Sequence, residues 1–228
     1  LYKITLKNGD EIEIDNPSNW PDPMQIATVQ EPYIKASILV PERYMGVVMD
    51  LCSQHRAESL SMNYLAVGRV EVVSLMPLGE VLFDYYDKLK TVTQGYGSFD
   101  WAPEQYRTSK IVKVEVLVNK ERVDALAYLV FEDKARERAL HYCEKLAEAI
   151  PRQQFKIPIQ GAIGGKIIAR STIRAFRKDV TAKCYGGDIS RKRKLLERQK
   201  RGKAKMKQVG SVSIPQEAFV SVLRTERD

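Results

Sequence analysis

The chain has 228 residues, with 37 Lys and Arg against 29 Asp and Glu for a formal net charge of +8, and it is 44% apolar and 29% charged. That is the composition of an ordinary globular protein long enough for one or two buried cores, and no run approaches the ~18 apolar residues of a membrane span. The charge is unevenly placed: residues 150–207 hold 18 Lys and Arg and three acids, a local +15, while the other 170 residues sum to −7.

The first residues, LYKITLKNGDEIEI, lie inside a strand pattern with no initiator Met and no signal peptide, as expected of a cut through a larger protein. The Asn8-Gly9 pair between YKITL and EIEID predicts a two-stranded hairpin. Three prolines among residues 17–23 then predict an irregular linker, and a boundary is expected near Gln30. From 31 to 110 strands and helices alternate. Tyr33–Val40 reads as a strand, and Pro41 opens a helix with Tyr44, Val47, Val48 and Leu51 inward. Two strands follow, Ser59–Leu65 and Arg69–Leu75. Pro77 starts a second helix, with Val81, Leu82, Tyr85, Tyr86 and Leu89 on one side, and Gly95–Trp101 is a last strand. This βαββαβ order predicts an α+β, ferredoxin-like domain with both helices on one sheet face.

Residues 111–228 read as a second domain, a mixed antiparallel sheet with a long basic helix. Ile111–Val118 and Leu126–Phe131 are strands around a turn at Asn119. Asp133–Ala149 is a helix with Ala139, Tyr142, Cys143 and Leu146 inward. Phe155–Ile159 and Ile167–Ala175 are further strands. Gly186-Gly187 turns the chain, Asp188 suits a helix N-cap, and the helix runs towards Met206 before a closing segment at Ala218–Leu223.

Sites for chemistry are few. Cys52, Cys143 and Cys184 form no C-x-x-C, which fits a reducing interior. Cys52 with His55, and His141 with Cys143, have metal-ligand spacing, but each pair sits on an amphipathic stretch that already accounts for it. Asp84 and Asp87 read as an exposed helix face. AIGGKIIAR departs from a phosphate-binding loop, with Gln160 for its first Gly and Ile167 for its Ser or Thr. QGYGSFDW shares Gly95, Tyr96 and Gly97 with the octamer of RNA-recognition motifs, but Gln94 and Ser98 break the pattern and the segment lies on the fourth strand. A stand-alone RNA-binding module stacking bases on Tyr96 and Phe99 is the alternative reading that this segment supports.

The dominant signal is DISRKRKLLERQKRGKAKMK at 188–207. On a helix Arg191, Lys194, Arg198, Arg201 and Lys205 share one face, a self-repelling row about 21 Å long, while Lys192, Arg193 and Lys200 add charge around it. The preceding segment adds Lys166, Arg170, Arg174, Arg177, Lys178 and Lys183. Arg170 and Arg174 are expected on the strand side opposite Ile167 and Ile173. A row that repels itself is suited to a polyanion. Nucleic acid, met mainly through its phosphates, is favoured over an acidic membrane or a merely solvated face.

The stretch from PRQQFKIPIQGAIGGKIIARSTIRAFRKDV through TAKCYGGDISRKRKLLERQKRGKAKMKQVGSVSIPQEAF resembles the C-terminal domain of the LepA, or elongation factor 4, family of ribosome-dependent GTPases. EPYIKASILVPERYMG, PLGEVLFDYYDKLKTVTQGYGSFDW and YRTSKIVKVEVLVN are similar to its fifth domain, shared with elongation factor G, and to the entry into its unique domain. Residues 1–30 resemble the end of the third domain and the bridge beyond it. The resemblance implies binding to the ribosome, ribosomal RNA and tRNA, by a monomer, in back-translocation or rescue of stalled ribosomes. It implies docking at the large-subunit factor-binding centre, for which Lys88, Lys90, Thr93 and Tyr96 are the candidates. It also implies a cytoplasmic factor of bacterial or organellar origin, in part peripheral on an anionic inner membrane. No cofactor is expected in this chain, and GTP and magnesium would belong to the absent GTPase domain.

Overall fold

In a computed structural model the described residues are 1–176, 189–209 and 212–223. The chain forms two compact units, Leu1–Val112 with Leu129–Glu132, and Lys113–Tyr128 with Asp133–Val222.

The first unit begins with the hairpin β1 (Tyr2–Leu6) and β2 (Glu11–Ile14), closed by Gly9 at φ +92°. The proline-rich link holds two 3₁₀ turns, capped by the Asn16 and Asp22 side chains. β3 (Ile26–Pro41) then runs straight through the boundary expected near Gln30. Its first residues pair with β1, so the hairpin extends the same sheet. Pro41 ends this strand rather than opening a helix; a 3₁₀ turn at Glu42–Tyr44 leads into α1 (Met45–Gln54). β4 (Glu58–Leu65) and β5 (Arg69–Pro77) follow, then α2 (Leu78–Glu80), a π-turn at Val81–Tyr85, α3 (Tyr86–Val92) and β6 (Ser98–Thr108). The strands align β6-β3-β5-β4, all antiparallel, which is the ferredoxin-like order.

Alternation decides which face is covered. Ile34, Ala36, Ile38 and Val40 of β3, with Val70, Val72 and Met76 of β5, meet Val48, Leu51 and Cys52 of α1 and Tyr85 and Leu89 of the second helical segment. The π-turn changes the inner face expected for that segment. An extra residue in the turn lets Asp84 and Tyr85 both reach the end of α1, while Leu82 is left 75% exposed. A smaller core under the hairpin joins Ile4, Ile14 and Val29 to Ile111, with Leu129 and Phe131 against it.

Two polar knots hold this unit. Glu31, only 2% exposed, accepts both terminal nitrogens of Arg56 at 2.7 and 3.1 Å and the Ser109 hydroxyl. Arg56 Nε donates to the buried Glu80 at 3.1 Å, and its guanidinium lies 3.9 Å over the Phe131 ring. In the second knot His55 places Nδ1 2.9 Å from the Leu51 carbonyl and Nε2 2.9 Å from Asp84, which also takes Lys88 at 2.6 Å. Asp84 is therefore a half-buried anchor, not part of an exposed face. Burial raises its carboxyl, but the hydrogen bonds from His55 and Lys88 outweigh that and hold it down at about 2 instead of 3.8.

In the second unit β7 (Ile111–Val118) turns at Asn119 and Lys120, both at positive φ, into β8 (Glu121–Arg122). A 3₁₀ turn at Asp124–Leu126 shortens the expected next strand to β9 (Tyr128–Phe131), whose residues from Leu129 on belong to the first unit, and α4 (Ala135–Ala149) follows in the second. β10 (Ile157–Ile163) and β11 (Lys166–Ile173) complete the order β11-β10-β7-β8. Ala139, Tyr142, Cys143 and Leu146 of α4 are buried, as their spacing predicts. Gly161 lies under α4, where a Cβ would meet that of Ala139 at 3.0 Å. α5 (Ile189–Val209) and α6 (Gln216–Leu223) close the described chain; Gly186, Gly187 and Asp188 lie outside it.

The Asp84 knot predicts an acid-sensitive contribution to stability. Because its folded value lies below the unfolded one, the contribution is whole above about pH 4 and lost as pH falls towards 2. Asp84→Asn should lower unfolding free energy by about 1–2 kcal/mol at neutral pH and remove this part of the acid dependence, read by urea unfolding across pH 2–6.

Candidate nucleic-acid interface

On β11 the pleat puts Ala169 and Ile173 inward and leaves Arg170, Thr172 and Arg174 exposed. Lys166 is exposed at the turn. Ile167 departs from the expected pattern: the register shifts between Gly161 and Ala162, so Ile167 faces Ala162 and is 43% exposed. Gly164-Gly165 supplies the positive φ values of the hairpin turn from β10 to β11. That strand–turn–strand geometry does not fit a nucleotide, whose phosphates need a loop opening onto a helix N-terminus. GTP and magnesium thus have no fitted cradle at this Gly-Gly-Lys.

Along α5, Lys192, Leu195, Gln199 and Gly202 form the half-buried stripe. Arg191, Lys194, Arg198 and Arg201 are all exposed on a neighbouring face, the row that the 3.6-residue period predicts. Arg193 and Lys200 are exposed on another side, together with Ile189 and Leu196. Of Ile189, Leu195 and Leu196, only Leu195 takes part in the inner stripe. Arg177, Lys178 and Lys183 lie outside the described residues, and for Lys205 only the helical backbone is described.

The candidates of the first unit have distinct places. Thr93 is fully buried: its hydroxyl donates to the Leu89 carbonyl at 2.7 Å and accepts from the Gly97 N–H at 2.9 Å. Lys90 donates to the Gly97 carbonyl, and Lys88 is held by Asp84. Thr93 and Lys90 therefore build the turn, and Thr93 cannot itself touch a partner. Tyr96 is presented at the surface, 58% exposed. Its ring lies 6.2 Å from that of Tyr44 at 19°, with the Arg43 guanidinium 4.8 Å from one and 5.1 Å from the other. The Tyr44 hydroxyl donates to Gln94 at 3.2 Å. Sequence reasoning missed Arg43 and Tyr44 because they stand some fifty positions from Tyr96 and no local pattern links them.

Phe99 sits opposite Ile38 and packs on Tyr85, on the helix-covered face. An RNA-recognition platform needs its aromatics on the open sheet face, so pairing Tyr96 with Phe99 as a stacking surface is ruled out by the fold. Neither of the two described thiols is an activated nucleophile: burial pushes Cys143 up to about 11 and Cys52 upward, where it contacts the Tyr85 hydroxyl at 3.2 Å, and Cys184 lies outside the described residues. His55 is committed to Asp84 and the Leu51 carbonyl.

Residues 28–117 match the family described as elongation factor G C-terminus, and residues 118–224 match that described as GTP-binding protein LepA C-terminus. The protein named elongation factor 4 2 of Rhodopirellula baltica is 70% identical over 227 residues, which is 100% of this chain and 38% of that relative. The elongation factor 4 proteins of Syntrophobacter fumaroxidans and Bacillus cytotoxicus are 61% and 56% identical, again over all of this chain and 38% of their own length. A ferredoxin-like unit followed by this basic α+β unit is the pairing of an elongation factor G C-terminus with a LepA C-terminus, matched here in that order. The chain belongs to the LepA, or elongation factor 4, family, and spans 38% of the length of the relatives it matches.

The Thr93–Gly97 turn is built with no room to spare. A Cβ on Gly97 would stand 2.8 Å from Thr93 Oγ1. Gly97→Ala should cost about 1–3 kcal/mol and speed amide exchange across residues 93–97, measured by hydrogen–deuterium exchange.

Proposed function

We propose that this chain is the ribosome- and tRNA-engaging region of a LepA-type factor acting in the cytoplasm as a monomer. In the whole protein GTP hydrolysis would lie in the remaining 62% of the length, and the action would be back-translocation or rescue of stalled ribosomes. The first unit would dock at the factor-binding centre of the large subunit. The basic strand and helix would grip tRNA and ribosomal RNA phosphates. The observation that carries this reading is the exposed row Arg191, Lys194, Arg198 and Arg201 on α5, preceded in sequence by the exposed Lys166 and Arg170 on β11 and Arg174 just past its end. Four cations on one face repel one another by tenths of a kcal/mol per pair, and a line of phosphates reverses the sign of that term.

A second reading, attachment to an anionic membrane surface, is supported by Ile189 and Leu196, exposed on the α5 side that carries Arg193 and Lys200. It predicts co-sedimentation with phosphatidylserine vesicles that Ile189→Ser with Leu196→Ser abolishes.

The RNA reading is tested by replacing Arg191, Lys194 and Arg198 with Glu. Ribosome affinity should fall, and the slope of log affinity against log salt should flatten by roughly 2–3 for the three lost phosphate contacts. Unchanged affinity and slope would refute it.

A further inference from the structure

From the geometry at the end of the helical layer we infer that Arg43, Tyr44 and Tyr96 form a shelf that stacks an unpaired RNA base. The inference deepens the proposed docking of the first unit on RNA and rests on that reading. Three observations carry it.

The first is composition and exposure. An exposed Tyr96 ring, a near-parallel, half-buried Tyr44 ring and an exposed guanidinium lie together, with the guanidinium roughly equidistant from both rings. A planar guanidinium held over two flat π-faces offers a cationic stacking plane that matches the face of a nucleobase and the phosphate that accompanies it. A duplex hides its base faces, so the shelf selects for an unstacked base.

The second is rigidity. Stacking is strongest when the rings need no ordering on contact. Here the turn that presents Tyr96 is fixed by the buried Thr93 hydroxyl, by Lys90 on the Gly97 carbonyl and by a backbone bond from Gly95 N–H to the Lys90 carbonyl at 2.8 Å. The Tyr44 ring is fixed in turn through its hydroxyl on Gln94.

The third is strain. Gln94 adopts φ +51°, a conformation that side-chain-bearing residues enter at a cost. In it, Gln94 receives the Tyr44 hydroxyl and the chain turns so that Tyr96 comes beside Tyr44. The same conformation ends the helix, with the Gln94 and Gly95 N–H groups donating to the Thr91 and Lys90 carbonyls at 3.2 and 2.8 Å, so helix termination and the placing of Tyr96 share one turn. Lys90 and Thr93 are positioning residues here, while Arg43, Tyr44 and Tyr96 make the contact.

The test uses the full chain with isotope-labelled tyrosine rings, assigned through Tyr44→Phe and Tyr96→Phe. The probes are a single-stranded oligoadenylate of about ten nucleotides and an RNA duplex of about equal length. The Tyr44 and Tyr96 ring signals should move upfield and saturate with the single strand, and stay in place with the duplex. Arg43→Ala and Tyr96→Ala should each weaken the binding read at the remaining ring by about 5- to 100-fold; Tyr96→Phe should preserve it. Replacing Arg191, Lys194 and Arg198 with Glu should leave these ring shifts intact, so loss of the basic row and loss of the shelf are read separately. Rings unmoved by saturating single strand, or moved equally by the duplex, overturn the inference. So does a Tyr96→Ala variant that loses ribosome binding while the Tyr44 ring still responds to RNA as before, since the shelf would then be meeting protein.

Discussion

The first unit depends on the burial of Glu31. A carboxylate placed in the middle of a strand and almost removed from water is costly unless its lone pairs are filled. Arg56 fills two of them in a fork, and Ser109 adds a third donor. Arg56 in turn holds Glu80 at the start of the second helical segment and covers the Phe131 ring. One guanidinium therefore ties the longest described strand, the turn after α1, the end of α2 and β9 together. It also explains why Arg56 accepts φ +56°: only a chain turned back on itself after α1 brings the fork to Glu31. The Glu132 N–H on the Lys110 carbonyl at 2.8 Å seals the same region along the backbone.

The two units divide the electrostatic work. The acidic excess of the chain lies outside residues 150–207, and within the first unit three of its carboxylates are held in polar contacts: Glu31 and Glu80 share Arg56, and Asp84 meets His55 and Lys88. The basic segment has few acids of its own, and the described part of α5 turns its cation row outward over a half-buried stripe containing a single large aliphatic, Leu195. A helix with so thin an apolar seam draws little stability from packing, which suits a surface that gains its binding energy from an external polyanion. The first unit, with 10 Lys and Arg against 16 Asp and Glu over residues 1–112 and 129–132, is net acidic, and it offers shape instead, a rigid turn carrying an aromatic ring.

Much of this organisation was legible in the residues. Alternation along 33–40 and 69–75 foretold a sheet covered on one face, and Asn8-Gly9 foretold the opening hairpin, because both depend on neighbours within a few positions. The face of α5 that carries Arg191, Lys194, Arg198 and Arg201 followed from helical periodicity alone. Where reading failed, a non-local term had intervened. The π-turn at Val81–Tyr85 displaced Leu82 and drew in Asp84, and the β-bulge at Gly161 and Ala162 exposed Ile167; neither leaves a mark in hydrophobic spacing. Tyr96 was singled out for a motif that it does not belong to, and only the sheet register separates it from Phe99.

The sequence by itself determined the class of fold, the family and the existence of a cation-rich segment, since composition, period and local turn chemistry are written in consecutive residues. Tertiary structure decided which of those residues meet. It placed Arg43 and Tyr44 beside Tyr96, buried Thr93 as a strut, and turned Asp84 from a presumed surface charge into an anchor for His55. The reason is that such pairings are set by strand register and helix packing across thirty to eighty residues, where no periodicity carries information and only the closing of the core fixes the distance.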